Sequence, residues 1–268
     1  MGSLFRSLAG EKRFMAAGYD AMGKLVVIGA GAVGTVQALR ARDAGHAVTF
    51  LVRAGRGEPL RACGLRVLSW PGEDDVAVLL SPGGSEVQVS EDPACVADAD
   101  AVALAVPSGG TRAVAASIAG HLRPQTPVIS WQNGVDNALW LREALPHNPV
   151  VGSIVLYNAV RLSEGTVRYT IPNAVVYAMQ GRSHVPAGLD ADHPRVHQPV
   201  RFVPDLLAVQ WSKLLVNLAN GPLALVPMGY AQAFADRDFR ACAALILSEG
   251  MQTVRSAGIA PSPLGDID

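Results

Sequence analysis

KLVVIGAGAVG, residues 24–34, followed by AGHAVTFLVR, residues 44–53, decides the fold. Leu25 to Ile28 is a short, continuously apolar run, the pattern of a strand buried on both faces. Gly29, Gly31 and Gly34 then fall at the spacing GxGxxG, and a helical stretch follows to about Ala44, where Gly45 stops it. Ala47–Val52 is a second buried strand, so the segment forms a β-α-β unit. Each glycine has its own task. The first permits a tight turn, the second lets the backbone approach a pyrophosphate, and the third packs helix on strand. The helix N-terminus adds oriented N–H groups for an anion. A lone GxGxxG is weak evidence, but here it lies between a strand and a helix, which gives it meaning. Gly29, Ala30, Gly31, Ala32, Val33 and Gly34 are therefore candidate cofactor-binding residues.

The end of the second strand selects the dinucleotide. NAD binders usually carry Asp or Glu there, to accept from the ribose 2′-hydroxyl. This chain has Arg53 and then Arg56, with no carboxylate until Glu58. A guanidinium suits a 2′-phosphate through paired hydrogen bonds. NADPH is the expected cofactor, with Arg53 reading its phosphate; the alternative is a solvated surface arginine.

The 268 residues suffice for one large domain or two modest ones, and 50% hydrophobic with 17% charged residues suits a globular protein with a large core. A formal net charge of −1 without a long basic run argues against nucleic acid as a partner. No run approaches a membrane span, and residues 1–21 lack an apolar signal core, so a cytoplasmic protein is expected. The sequence restarts at Met22, and residues 1–21 are expected to be a tag or extension. Cys63, Cys95 and Cys242 are widely spaced and expected to be reduced. His193 and His197 lie in a Pro-rich loop and make no metal signature, so no metal is expected.

Further along, from Gly64 to Val89, the runs LRVLSW, VAVLL and EVQVS suggest a small antiparallel excursion. Parallel rhythm returns with strands at Ala101–Val106, Pro127–Trp131 and Val150–Leu156, and helices near Thr111–His121 and Asn137–Leu145. Val167–Thr170 and Val175–Met179 suggest a closing hairpin, and Arg182–Pro199 a linker or surface loop. Trp211, Leu214, Leu215 and Leu218 then form a helical stripe. A second helix runs from Asp236 or Asp238 to Ser256, ended by Gly258. The fold class expected is α/β: a doubly wound, Rossmann-type parallel sheet in residues 22–199, then a mainly helical domain in 200–268 that ends short.

Two polar clusters remain. WQNGVDN, residues 131–137, lies at the C-terminal end of a strand, the edge where open α/β sheets bind ligands. WSKLLVN, residues 211–217, is followed by Asn220-Gly-Pro222. Lys213 and Asn217 share a helix face at i, i+4, and Asn220 is expected to continue it. A solvent-exposed edge is the plain alternative.

GAGAVG with AGHAVTFLVR, then QNGVDN, then WSKLLVNLANGPLAL resemble, in that order, the ketopantoate reductase family over about Met22 to Ile259. The resemblance implies NADPH-dependent reduction of a 2-oxo acid, foremost 2-dehydropantoate to pantoate in pantothenate and coenzyme A biosynthesis. It also implies that Lys213 is the catalytic lysine that donates the proton and that Asn217 and Asn220 bind substrate. Asn133 would contact cofactor and substrate, and Arg53 the 2′-phosphate. The chemistry agrees: an ammonium can stabilise charge developing on a ketone oxygen and protonate it. The expected partners are a small 2-oxo acid and, as the assembly to test, a second copy in a homodimer.

Three departures mark the chain. Pro107, followed by Ser-Gly-Gly, stands where the family commonly carries lysine. Gly221 stands before Pro222 where the family often has asparagine. The chain stops at Asp268, where the family's further helical stretch would begin. They keep two rivals open: a cofactor-binding paralogue or sensor without catalysis, and a related dehydrogenase with a different substrate.

Overall fold

The computed structural model describes residues 23–68, 76–85, 87–171, 174–192 and 198–262. Residues 1–21, the His193–His197 pair and the SPLGDID ending from Pro263 on lie outside the described residues.

The opening unit forms as its pattern predicts. β1 (Lys24–Ile28), α1 (Ala32–Asp43) and β2 (Ala47–Leu51) follow one another, with β1 and β2 parallel in register Leu25↔Val48. Eight strands make the main sheet. To the other side of β1 lie β6 (Ala101–Leu104), β7 (Val128–Ser130) and β8 (Val150–Val155), all parallel; β5 (Gln88–Ser90) runs parallel to β2 at the far edge. Because β1 is flanked by β2 and β6, strand order reverses there, and the carboxyl ends of β1 and β6 mark the switch point where open α/β sheets form their ligand crevice. α3 (Thr111–Ala119) and α4 (Asn137–Ala144) cover the face where Val102, Leu104, Ile118 and Leu141 pack.

Beyond β8 the structure departs from the sequence reading. Val167–Thr170 and Val175–Met179 do not pair as a hairpin. β11 (Val175–Ala178) joins the main sheet antiparallel to β8, and β10 (Thr166–Ile171) belongs to a second, four-stranded sheet. There β10 pairs antiparallel with β9 (Asn158–Ser163) and parallel with β3 (Leu65–Leu68), which pairs antiparallel with β4 (Val76–Leu80). The true hairpin is β9–β10, closed at Glu164-Gly165, where Gly165 takes φ +76°. β9 is largely exposed and mixed in polarity, so it carries no strand signature. The excursion is antiparallel at β3–β4 only, since β5 returns to the main sheet, and a short helix α2 (Gly57–Cys63) precedes it. The stretch read as a linker or surface loop, 182–199, is entered from a 3₁₀ turn at residues 179–184 and followed by β12 (Val200–Val203), which pairs parallel with β11. This strand lies on the helical side of the division expected at residue 200.

The second sheet explains the burial of α1. Gly34 to Ala41 are buried without interruption, including Gln37 and Arg40, because β1 and β2 lie on one side of the helix and β3, β4, β9 and β10 on the other. Arg40 donates from Nη1 to Gln198 Oε1 at 2.6 Å and from Nη2 to the Ala191 carbonyl at 2.6 Å; Gln37 Nε2 donates to Gln198 Oε1 at 2.9 Å. Burial lowers the pKa of the Arg40 guanidinium.

Helices follow from Leu206. α5 (Leu206–Asn217) is capped by Asp205, whose Oδ1 accepts from Ala208 N; α6 (Asn220–Ala224) and α7 (Tyr230–Ala235) are short; α8 (Arg237–Ser256) is capped by Asp236, with Gly258 at φ +74° beyond it. The stripe Trp211, Leu214, Leu215 and Leu218 lines an open groove of about 340 Å³ against Ile246, Gly250 and Val254 of α8. No described helix is long and apolar enough to cross a membrane.

Candidate active site

The phosphate loop is shaped by what its glycines exclude. Gly29 takes φ +103°, and a Cβ there would stand 3.0 Å from the Ala105 carbonyl at the end of β6. At Gly34 a Cβ would lie 2.1 Å from the Gly29 carbonyl, so no other residue lets α1 start this close to β1. α1 begins with Gly31 as N-cap and no acidic residue in its first turn. Its leading amides therefore face the crevice without a side-chain cap, an arrangement that fits an anion such as a pyrophosphate.

Arg53 follows β2 by two residues and is exposed, and no carboxylate among the described residues pairs with it. Arg56 is occupied: its Nη2 meets Glu164 Oε1 at 2.5 Å. That hydrogen bond raises the arginine pKa and lowers that of the glutamate. Glu91, which spacing could not connect to this loop, comes from the end of β5. It accepts from Gly57 N at 2.6 Å and Gly55 N at 3.0 Å, and these amides hold its carboxyl below the usual range. Glu164 and Glu91 are thus engaged with Arg56 and with the Gly55 and Gly57 amides, and not with Arg53.

Across the crevice, the loops after β6 and β7 are stitched together. Ser108 Oγ donates to the Asn133 carbonyl at 2.7 Å, and Asn137 Nδ2 donates to that carbonyl at 2.8 Å and to Ser108 Oγ at 3.0 Å. Thr111 Oγ1 donates to Asn137 Oδ1 at 2.8 Å, while Gln132 Nε2 donates to Thr111 Oγ1 at 2.7 Å and to the Val106 carbonyl at 2.9 Å. Asn133 is held by its backbone, and its side chain stays exposed at the sheet edge. Ser108, Thr111 and Gln132 are given no role by the sequence reading, although Gln132 lies within WQNGVDN and Ser108 follows Pro107. Their hydroxyl and amide chemistry is common, and only the fold brings them together.

Lys213 lies two-thirds along α5. One turn earlier, Gln210 Nε2 donates to the Ser153 carbonyl of β8 at 3.4 Å, and Ser153 Oγ donates to the Ser130 carbonyl of β7. α5 therefore leans on the strand beside the one that leads to Asn133. Lys213 is half-buried, and desolvation lowers its pKa from 10.5. Among the described residues no carboxylate forms an ion pair with it. Asn217, one turn on, is half-buried and is the last residue of α5. Asn220 does not continue that face along one helix: Leu218 and Ala219 turn the chain, and Asn220 starts α6, exposed.

Residues 25–180 match the model of the ketopantoate reductase PanE/ApbA family, more than half of the chain. The chain belongs to this family. It is one of oxidoreductases acting on CH–OH groups. A 2-dehydropantoate 2-reductase of Halobacterium salinarum is 34% identical over 100 residues, 36% of this chain and 33% of that protein; the match thus spans about a third of that curated relative. A solved PanE/ApbA family ketopantoate reductase from Ralstonia eutropha JMP134 is 27% identical, with a TM-score of 0.71 over 90% of this chain and 76% of the other. D-mandelate dehydrogenase, solved with NADH and anilino(oxo)acetate, shares the fold at 14% identity, with a TM-score of 0.73 over 89% of this chain and 76% of that one.

Proposed function

We propose that the protein reduces a 2-oxo acid to the 2-hydroxy acid with NADPH, and that 2-dehydropantoate, giving pantoate for pantothenate and coenzyme A synthesis, is its foremost substrate. The observation that carries the reading is Lys213: a desolvated ammonium with no described carboxylate to neutralise it, on a helix seated beside the strand that leads to Asn133. The nicotinamide, when bound, supplies the hydride. Residues 29–34 would hold the pyrophosphate and Arg53 the 2′-phosphate. Lys213 Nζ would polarise the substrate ketone and give its proton to the oxygen as charge develops there. Burial tunes it for this by bringing proton release closer to working pH. Asn217 and Asn220 would orient the substrate, and Asn133 would contact both cofactor and substrate. The three unpaired cysteines fit a reducing compartment, in keeping with a cytoplasmic enzyme. Exposed Leu207, Val216, Leu225, Tyr230 and Leu245 in the helical part support self-association as a homodimer, measurable by sedimentation.

One observation favours a second substrate reading. Pro107-Ser-Gly-Gly carries no cation, and a Cβ at Gly109 would meet nothing within 4 Å. A neutral, open loop at this edge suits a bulkier, more apolar 2-oxo acid. The test is NADPH oxidation with 2-dehydropantoate and with a graded panel of 2-oxo acids, for wild type and Lys213→Ala. Turnover lost in the variant supports the role of Lys213, and turnover that survives it undiminished sinks that role. Tight NADPH binding with no turnover on any 2-oxo acid marks a sensor instead.

A further inference from the structure

The β9–β10 hairpin places a third arginine at the cofactor crevice. Ala159 and Arg161 share one side of β9, opposite the buried Tyr169 and Val167 of β10, and Ala159 packs against the core that contains α1. On that side Arg161 reaches the phosphate loop, where its Nη2 donates to the Ala30 carbonyl at 3.3 Å. Ala30 is the second residue of GAGAVG. A guanidinium has five N–H donors, and one long bond to one carbonyl leaves Arg161, an exposed residue, well short of satisfied. Its position is not a matter of a loose strand. The hairpin is fastened at its tip, where Glu164 pairs with Arg56 at 2.5 Å. Gly165 there sits so close to the end of α2 that a Cβ would lie 2.2 Å from the Gly64 carbonyl and 2.8 Å from Cys63 Sγ. Glu164, the acid nearest in sequence to Arg161, hydrogen-bonds Arg56 and reaches Arg161 through its charge alone, and the first turn of α1 holds no acid.

We propose that Arg161 is a cofactor-binding residue whose guanidinium takes up the pyrophosphate of the dinucleotide, delivered to the glycine loop by the second sheet. The proposal rests on the cofactor reading above. It separates the two phosphate groups by place: Arg161 stands over the start of the loop, and Arg53 stands at the end of β2, where the ribose is read. Charge and planarity match a pyrophosphate oxygen pair, and the helix N-terminus alone would leave the outer oxygens to water.

The test is binding rather than turnover. Dissociation constants for NADPH and NADH are measured by nicotinamide fluorescence, and for adenosine 2′-monophosphate, which has no pyrophosphate, by competition. Arg161→Ala is expected to weaken NADPH and NADH alike, about tenfold, and to leave adenosine 2′-monophosphate unchanged. Arg161→Lys is expected to recover part of the loss, and its failure to do so would leave a packing role and overturn the proposal. Unchanged binding of both dinucleotides in Arg161→Ala overturns it too, as does an equal loss for adenosine 2′-monophosphate, which would make Arg161 a reader of the 2′-phosphate. Should Arg161→Ala melt without cooperativity, Arg161→Gln keeps the reach and removes the charge, with the same expectations. A wild-type protein that binds neither dinucleotide overturns the cofactor reading and this proposal together, whereas wild-type binding with Arg161→Ala unaltered overturns this proposal alone.

Discussion

The chemistry proposed for Lys213 and the stability of the fold meet in one property, its desolvation. Its pKa in the folded protein lies below 10.5, the value of a free lysine. Between those two values the unfolded chain holds a proton that the folded chain has released, so stability rises with pH across that window. Below it, burying the ammonium costs stability. Lys213→Met is therefore expected to abolish turnover and yet raise the melting temperature near neutral pH, by a margin that shrinks as pH climbs towards 10.5. Reduction needs the protonated lysine, so the alkaline limb of kcat against pH should fall earlier than an ordinary lysine would give. Arg53 makes the companion prediction. Because no described acid engages it, Arg53→Ala should weaken NADPH roughly tenfold and leave NADH nearly untouched, as read by fluorescence titration. The sequence singles out these two residues because each stands at a fixed offset from a motif. It does not single out Arg161 or Glu91, since the neighbours of β9 and β5 are set by long-range pairing.

At the scale of elements, the strand–loop–helix opening is the firmest part, and its failure mode is sharp. Gly34→Ala would drive a methyl into the Gly29 carbonyl, so α1 must tilt or the loop must open. The expected cost is about 1–3 kcal/mol in thermal or urea unfolding, with dinucleotide binding lost as well. The same local logic made β1, α1, β2 and α8 readable: apolar period, glycine stops and the aspartate cap at Asp236 lie within a few residues of what they control. β9 escaped because its six residues are mixed in polarity, and β12 because it is short and interrupted by Arg201. The pairing of β10 escaped for another reason. Val167–Thr170 and Val175–Met179 both have strand character, but a sequence does not say that two neighbouring strands enter different sheets. Only the extra sheet against α1 resolves it.

The whole molecule is held together by a polar joint as well as by its core. Gln198, 1% exposed, accepts from both Arg40 and Gln37 and so fastens the segment after the 3₁₀ turn to α1. Gln198→Leu leaves a buried guanidinium short of an acceptor. It should lower stability by roughly 3 kcal/mol, seen as a lower urea midpoint with the slope unchanged. The Arg40–Gln198 contact joins positions far apart in the chain, and nothing in the spacing of either residue announces it.

Sandwiching α1 between two sheets also has a kinetic meaning. One sheet needs residues from 24 to 203, and the other needs 65–80 to meet 158–171, so the helix is sealed only when distant parts of the chain have all arrived. Partial opening that frees one sheet would still leave the helix packed on the other. The backbone amides of residues 34–41 should therefore exchange with deuterium only through complete unfolding, at a common and slowest rate for the chain. The proposed seat of the dinucleotide is then built on the stiffest part of the protein, while the helices that would bring the lysine to it stand outside that seal.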